Sequence, residues 1–282
     1  MKHALEHQFG PIRSLQMGVG HFGPPPVQVH AYLIDGLLID TGPPKLTKQL
    51  IAWLERQKIN RVFVTHHHED HSGNVSPIEA RFRNKSYGSK KCTELVANYI
   101  YTSIPQKIYW GAPSQTSTLI PWEKPTFETN RHRFALIPVP GHAEDQVALY
   151  EADQGWLFSA DAFVSPIIKY FLSNESMAQQ IHSLKQLERL DFDLLLCAHS
   201  PMRKGGKAAL TQKRKFLESY YEAVVHFHQK GESPRQILSS MGQKERWGQS
   251  LISAGHMSAI NMVRAVLRDE KQKTVDNLGI SP

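Results

Sequence analysis

Cysteine is scarce in this 282-residue chain: Cys92 and Cys197 are the only two. They are too few for a disulfide framework, and Cys197 lies inside the apolar run 194–198, so a buried thiol in a reducing compartment, the cytoplasm, is expected. Long apolar runs are also missing, which argues against a helical membrane span or membrane partner. The opening stretch Met1–Pro26 holds Lys2, Glu6, Arg13 and four prolines, and contains no signal-peptide core. There is no internal repeat and no low-complexity linker. Acidic residues are outnumbered, 26 against 33 Lys+Arg, and the whole deficit falls late in the chain. Residues 1–200 carry 19 of each sign, whereas 201–282 carry 14 basic and 7 acidic residues. Such a tail is either a solvated helical face or a surface for an acidic partner such as nucleic acid. The expected organisation is an α/β body over 1–205 and a basic α-helical extension over 206–282.

What is abundant is histidine, concentrated in His66-His67-His68-Glu69-Asp70-His71. Four imidazoles and two carboxylates in six residues are too costly to desolvate unless a cation binds them. The tract follows the apolar run Arg61–Val64. On an extended chain alternate residues share a face, so His66 and His68 can reach one ion, and the next turn carries Asp70 and His71 toward a second. This donor set suits zinc, iron or manganese.

Val27–Asp40 reads as two strands hinged at Asp35-Gly36, a strong hairpin signal. A helix is expected over about 45–57, with Leu46, Leu50, Trp53 and Leu54 on one stripe, then a buried strand over 61–65. Further helices are expected over 89–101, 176–190, 211–229, 234–242 and 256–268, and an irregular loop over 103–125. Strands are expected to end at Pro140-Gly141-His142, at Ala160-Asp161 and at Ala198-His199. One polar residue after one strand means little. His66 to His71, His142, Asp161 and His199, each at such an end, indicate a shared site. His226, His228 and His256 read as ordinary tail histidines.

These motifs resemble the metallo-β-lactamase superfamily: Asp40 in Ile-Asp-Thr-Gly, the His-x-His-x-Asp-His tract, His142 in Pro-Gly-His, Asp161 in Ser-Ala-Asp and His199 in Ala-His-Ser, in family order from about 27 to 201. The resemblance implies a four-layer αββα sandwich with two divalent metal ions, zinc first, at one edge of its sheets. By that analogy His66, His68 and His142 hold one ion; Asp70, His71 and His199 hold the second; Asp161 bridges them. Asp40 would orient the ligands from behind, while His67 and Glu69 face away. A metal-bridging hydroxide would attack an ester, thioester or lactone of a small molecule, with Asp70 as the catalytic residue that orients it and carries a proton.

Departures from subfamily patterns narrow the substrate. Asp161 stands where common zinc β-lactamases have cysteine. Residues 162–170 lack the Gly-Cys-Gly-Arg type of segment seen in glyoxalase II-like enzymes, which weakens a glutathione thioester, and Val164 replaces the tyrosine of lactonases. The alternatives are a metal-dependent endoribonuclease or phosphodiesterase using the basic tail, and a mononuclear iron enzyme resembling persulfide dioxygenases. The tail and the loops at 103–125 and 165–175 would wall the pocket.

Overall fold

The computed structural model describes residues 2–20, 25, 27–98, 107, 110–112, 119–245 and 256–278. The chain divides into two compact units. The first comprises 1–138, 144–164 and 191–206; the second comprises 139–143, 165–190 and 207–282.

The first unit holds two sheets. The larger orders its seven strands as they occur in sequence: β1 (Lys2–Phe9), β2 (Ile12–Val19), β3 (Gln28–Ile34), β4 (Leu37–Ile39), β5 (Arg61–Val64), β6 (Lys85–Gly88) and β7 (Ile120–Pro121). Pairing is antiparallel up to β4 and parallel from β4 onward. Asp35 and Gly36 make the expected two-residue turn, with φ of 46° and 77°, the positive pair of a type I′ hairpin. The second sheet contains β8 (Thr126–Glu128), β9 (Arg133–Pro138), β10 (Val147–Glu151), β11 (Trp156–Ala160) and β13 (Leu194–Cys197), in the order β13-β11-β10-β9-β8.

Alternation along the strands divides the core. Leu37, Ile39 and Phe63 join Phe134, Leu149, Phe158 and Leu196 of the second sheet in one buried cluster between the sheets. Leu38, Val62 and Val64 point the other way, onto Leu50, Trp53 and Leu54 of α1 (Thr47–Leu54). Strands buried on both faces read as unbroken apolar runs, so these show no polar alternation in sequence. The short helix α2 (Glu69–Ser72) and helices α3 (Val75–Phe82) and α4 (Lys90–Ala97) complete the first unit; Ser89 caps α4 by accepting from Cys92 N.

The second unit contains α5 (Met177–Glu188), α6 (Gly206–Gln229, from Lys207 onward), α7 (Pro234–Ser240), α8 (Ala259–Leu278) and a two-stranded sheet of β12 (Phe171–Leu172) and β14 (Met257–Ser258). The expected division at 205/206 falls one residue before the last boundary between the units, at 206/207, and the helical unit also takes 139–143 and 165–190, where α8 packs on α5 and on β12 as well as on α7. Two smaller expectations change. His256 precedes α8, where β14 intervenes, and α6 begins at Gly206, a turn before Thr211. The loop at 103–125 and the end of the 89–101 helix fall largely outside the described residues; Ile120–Pro121 within that loop is an edge strand. Among the described residues, no helix is long and apolar enough to cross a membrane.

Candidate metal centre

In the first unit the polar residues collect where strands end. Asp40 follows β4, His66 follows β5, Asp161 follows β11 and His199 follows β13. Backbone hydrogen bonds join these ends: Asp40 N to Phe63 O (2.9 Å), Val147 N to Thr65 O (3.0 Å) and Ala198 N to Ala160 O (3.2 Å). Asp40 and Ala160 have φ of 61° and 46°. For residues other than glycine that region costs on the order of 1–2 kcal/mol, and both lie at strand ends that deliver a carboxylate to the site.

Asp40, 2% exposed, accepts three hydrogen bonds: Thr65 N on Oδ1 (2.8 Å), and Thr65 Oγ1 (2.9 Å) and His71 Nδ1 (2.8 Å) on Oδ2. The proton on His71 Nδ1 leaves Nε2 as the electron-pair donor. Thr65 spends its only proton on Asp40, so it accepts from His66 Nδ1 at 3.1 Å and fixes the same tautomer there. His199 donates Nδ1–H to the Gln28 carbonyl at 2.6 Å. Three imidazoles thus present Nε2, each held from behind, as metal-binding histidines are.

Among the described residues, the Nε2 of His71 is buried without a hydrogen-bond partner. It faces Asp161 Oδ1 at 3.5 Å and Asp70 Oδ1 at 3.8 Å, while His199 Nε2 lies 3.2 Å from Asp161 Oδ2 and 3.8 Å from Asp70 Oδ2. His66 Nε2 and His68 Nδ1 are 3.1 Å apart. Ligands 2.0–2.1 Å from a tetrahedral ion lie about 3.3 Å from one another, so these spacings would suit residues that share a cation. Within the first unit, among the described residues, the sets His66/His71/Asp161 and Asp70/His71/His199 each have donor atoms within 4.8 Å of one another.

Electrostatics agree. Burial alone would lower the His199 imidazole, yet Asp161 and Asp70 raise it to about 9. His71 is raised well above the ordinary histidine range against the same burial, by Asp40, Asp70 and Asp161. Burial favours a neutral Asp161, but His199 and His71 hold its carboxyl well below the usual range. Carboxylates that draw protons onto imidazoles this strongly draw a divalent cation into the same place, so the residues fit metal binding.

His142, the remaining expected ligand, belongs to the second unit. It follows Gly141, whose φ is 132° and whose added Cβ would lie 2.5 Å from Gln180 N at the start of α5. Only glycine allows that approach. His142 Nδ1 lies 3.5 Å from Glu175 Oε2.

Several supporting residues were not legible in sequence. Buried Asp145 accepts from His67 N (2.7 Å) and His67 Nδ1 (2.8 Å), turning that imidazole to its own side; its only signal was its place just ahead of β10. Asn74 donates to the carbonyls of Thr41, Gly42 and Pro43 at 2.8–3.0 Å, while Thr41 Oγ1 donates to His71 O. This latch requires Gly73, where an added Cβ would meet Glu69 O at 2.2 Å and Pro44 Cδ at 2.4 Å. Gly73→Ala is therefore expected to cost about 2–3 kcal/mol of stability in a urea melt, through overpacking against backbone. An unchanged midpoint would show that the latch yields.

The family model described as the metallo-β-lactamase superfamily matches residues 24–199. A hydroxyacylglutathione hydrolase from Serratia proteamaculans (strain 568) is 29% identical over 203 residues, 70% of either chain. Another hydroxyacylglutathione hydrolase, from Nitrosomonas eutropha, is 30% identical over 58% of this chain and 56% of its own length. The fold is that of a metallo-β-lactamase family protein from Thermus thermophilus, at a TM-score of 0.67 and 15% identity over 93% of this chain and 95% of that one. The expected metallo-β-lactamase fold and the expected class, a metal-dependent hydrolase, both hold. The chain belongs to the metallo-β-lactamase superfamily.

Proposed function

We propose that the protein hydrolyses a small-molecule thioester at a dinuclear site, with zinc as the first choice of metal and the cytoplasm as its place of work. His66, His68 and His142 would hold one ion, Asp70, His71 and His199 the other, and Asp161 would serve both. The observation that carries this reading is the arrangement of Asp161 between His71 and His199, with its two oxygens at 3.5 and 3.2 Å. The chemistry that divalent cations would supply there, when bound, is a lowered pKa for water and polarisation of a substrate carbonyl. The chain's own residues do the rest. Asp40 and Thr65 fix the imidazole tautomers, and Asp70, 8% exposed, takes the proton of the attacking water and passes it to the leaving group.

A thioester is favoured because the relatives named above are hydrolases of an acylglutathione, which is a thioester. Residues 162–170 differ from the glutathione-site segment, so the proposal extends to the bond and not to that thiol. Several tail cations also have partners within the unit. Arg214 binds Glu188 and Glu218, Lys273 binds Glu270, and Lys213 is buried. That leaves fewer charges for a phosphate backbone. Both cysteines are buried and neither forms a disulfide, which supports a reducing compartment.

The test is metal analysis followed by a substrate panel. Two zinc equivalents per chain are expected, with turnover of acyl thioesters that a chelator abolishes and zinc restores. Cleavage confined to RNA, steeply dependent on salt, would replace this reading with a nuclease. One iron per chain and oxygen uptake with persulfides would replace it with a dioxygenase.

A further inference from the structure

Within the second unit, a short series of hydrogen bonds runs from helix α8 to Glu175, whose carboxylate faces His142. Asp269 on α8 accepts from Ser176 Oγ on Oδ1 and from Ala178 N on Oδ2, both at 2.8 Å, while the neighbouring Arg268 donates to the carbonyl of Glu175 at 2.9 Å. One helical turn thus grips the segment leading into α5 by three of its groups: a side chain, an amide and a carbonyl. The segment in turn fixes a carboxylate. Glu175, 6% exposed, accepts from Leu172 N on Oε1 (2.7 Å) and from Gln180 Nε2 on Oε2 (2.5 Å). That Oε2 lies 3.5 Å from His142 Nδ1. The backbone beside His142 is held by the same segment, since Ser176 N donates to Gly141 O at 2.9 Å.

A buried carboxylate tolerates burial when it has donors, and Glu175 has two good ones plus an imidazole nitrogen just beyond hydrogen-bond length. A carboxylate facing Nδ1 favours the proton on that nitrogen. The tautomer then leaves Nε2 as the donor, and the ring is turned to suit. Asp40 does the same for His71.

We propose that Glu175 is the positioning residue of His142 and that α8, through Arg268 and Asp269, is the brace that keeps it there, so the basic extension supports His142 from within its own unit. The inference rests on the proposed role of His142 as a ligand. It accounts for the extension by its hydrogen bonds, without a partner.

The experiment titrates zinc into the apoprotein of the full chain, with a chromophoric chelator competing, for the parent, His142→Ala, Glu175→Gln, Glu175→Ala and Asp269→Ala. Circular dichroism melts of the apo forms run beside it. The expected result is loss of one of two zinc sites in His142→Ala, a 10–100-fold weakening of one site in Glu175→Ala with the other unchanged, and a smaller weakening of that site in Glu175→Gln and Asp269→Ala. Native affinity at both sites in His142→Ala would overturn the ligand role and the brace together. Loss of a site in His142→Ala with native affinity in both Glu175 variants would overturn the brace alone. Equal weakening of both sites in Asp269→Ala, in step with its melting temperature, would make α8 a general stabiliser and also overturn the proposal.

Discussion

Asp70→Asn is expected to lower kcat/KM toward a thioester by about 10²–10⁴-fold, the range for removing a positioned acid–base group. Asparagine keeps the shape, so the change isolates the negative charge. Asp70 begins the second half of the His tract on α2, with one oxygen 3.8 Å from His71 Nε2 and the other 3.8 Å from His199 Nε2. Its carboxylate faces imidazoles and contributes nothing to the apolar core. A thermal melt of the variant should therefore stay close to the parent's while turnover is lost, the signature of a working group. Parent-level activity in the purified variant would remove Asp70 from the catalytic role. His68→Ala is expected to follow the same pattern by loss of a ligand.

Asp40→Ala should fail differently. The side chain is buried and satisfies three donors, the amide and hydroxyl of Thr65 and the Nδ1–H of His71. Truncation leaves these donors buried without their acceptor, a loss of about 3–5 kcal/mol when the missing partner is a charge. It also releases the tautomers of His71 and His66, since Thr65 is then free to turn its proton toward His66. Metal affinity is expected to fall 10–100-fold in addition. Urea denaturation of the apoprotein reads the first effect and chelator competition the second. A variant that keeps its urea midpoint would show that water replaces the carboxylate, and the network would not be structural. Asp40→Asn suits the left-handed backbone at φ 61° and keeps one acceptor oxygen, so its stability loss should be smaller.

The strand ends could be read from sequence because the donors are dense there: His66 to His71 is too polar to be core and too close to a buried strand to be an ordinary loop. The helices of the extension were equally plain, since a stripe such as Ile260, Val263 and Leu267 is local information. The supports of the site were not. Asp145 meets His67 across 78 positions, and Asp269 meets Ser176 across 93. A single carboxylate in an otherwise ordinary helix gives no hint of such a partner. The β1–β2 hairpin carries little signal in sequence: β1 is a mostly exposed edge strand, so it lacks the alternation that marks a half-buried one. The charge asymmetry of 201–282 marked the extension, but charge reports the surface, whereas the helical unit, which also gathers 139–143 and 165–190, follows packing.

The interleaved path of the chain bears on where it can be divided. It leaves the first unit after Pro138 and again after Val164, returns at Glu144 and Asp191, and leaves for good at Lys207. The parallel pair β11 and β13 closes only after α5 has been passed. The extension is thus not a separable module at the level of the chain. A cut at 206 would part Asp269 from Ser176 and Ala178, which it holds at 2.8 Å, so the helical unit takes its contacts from both sides of that point.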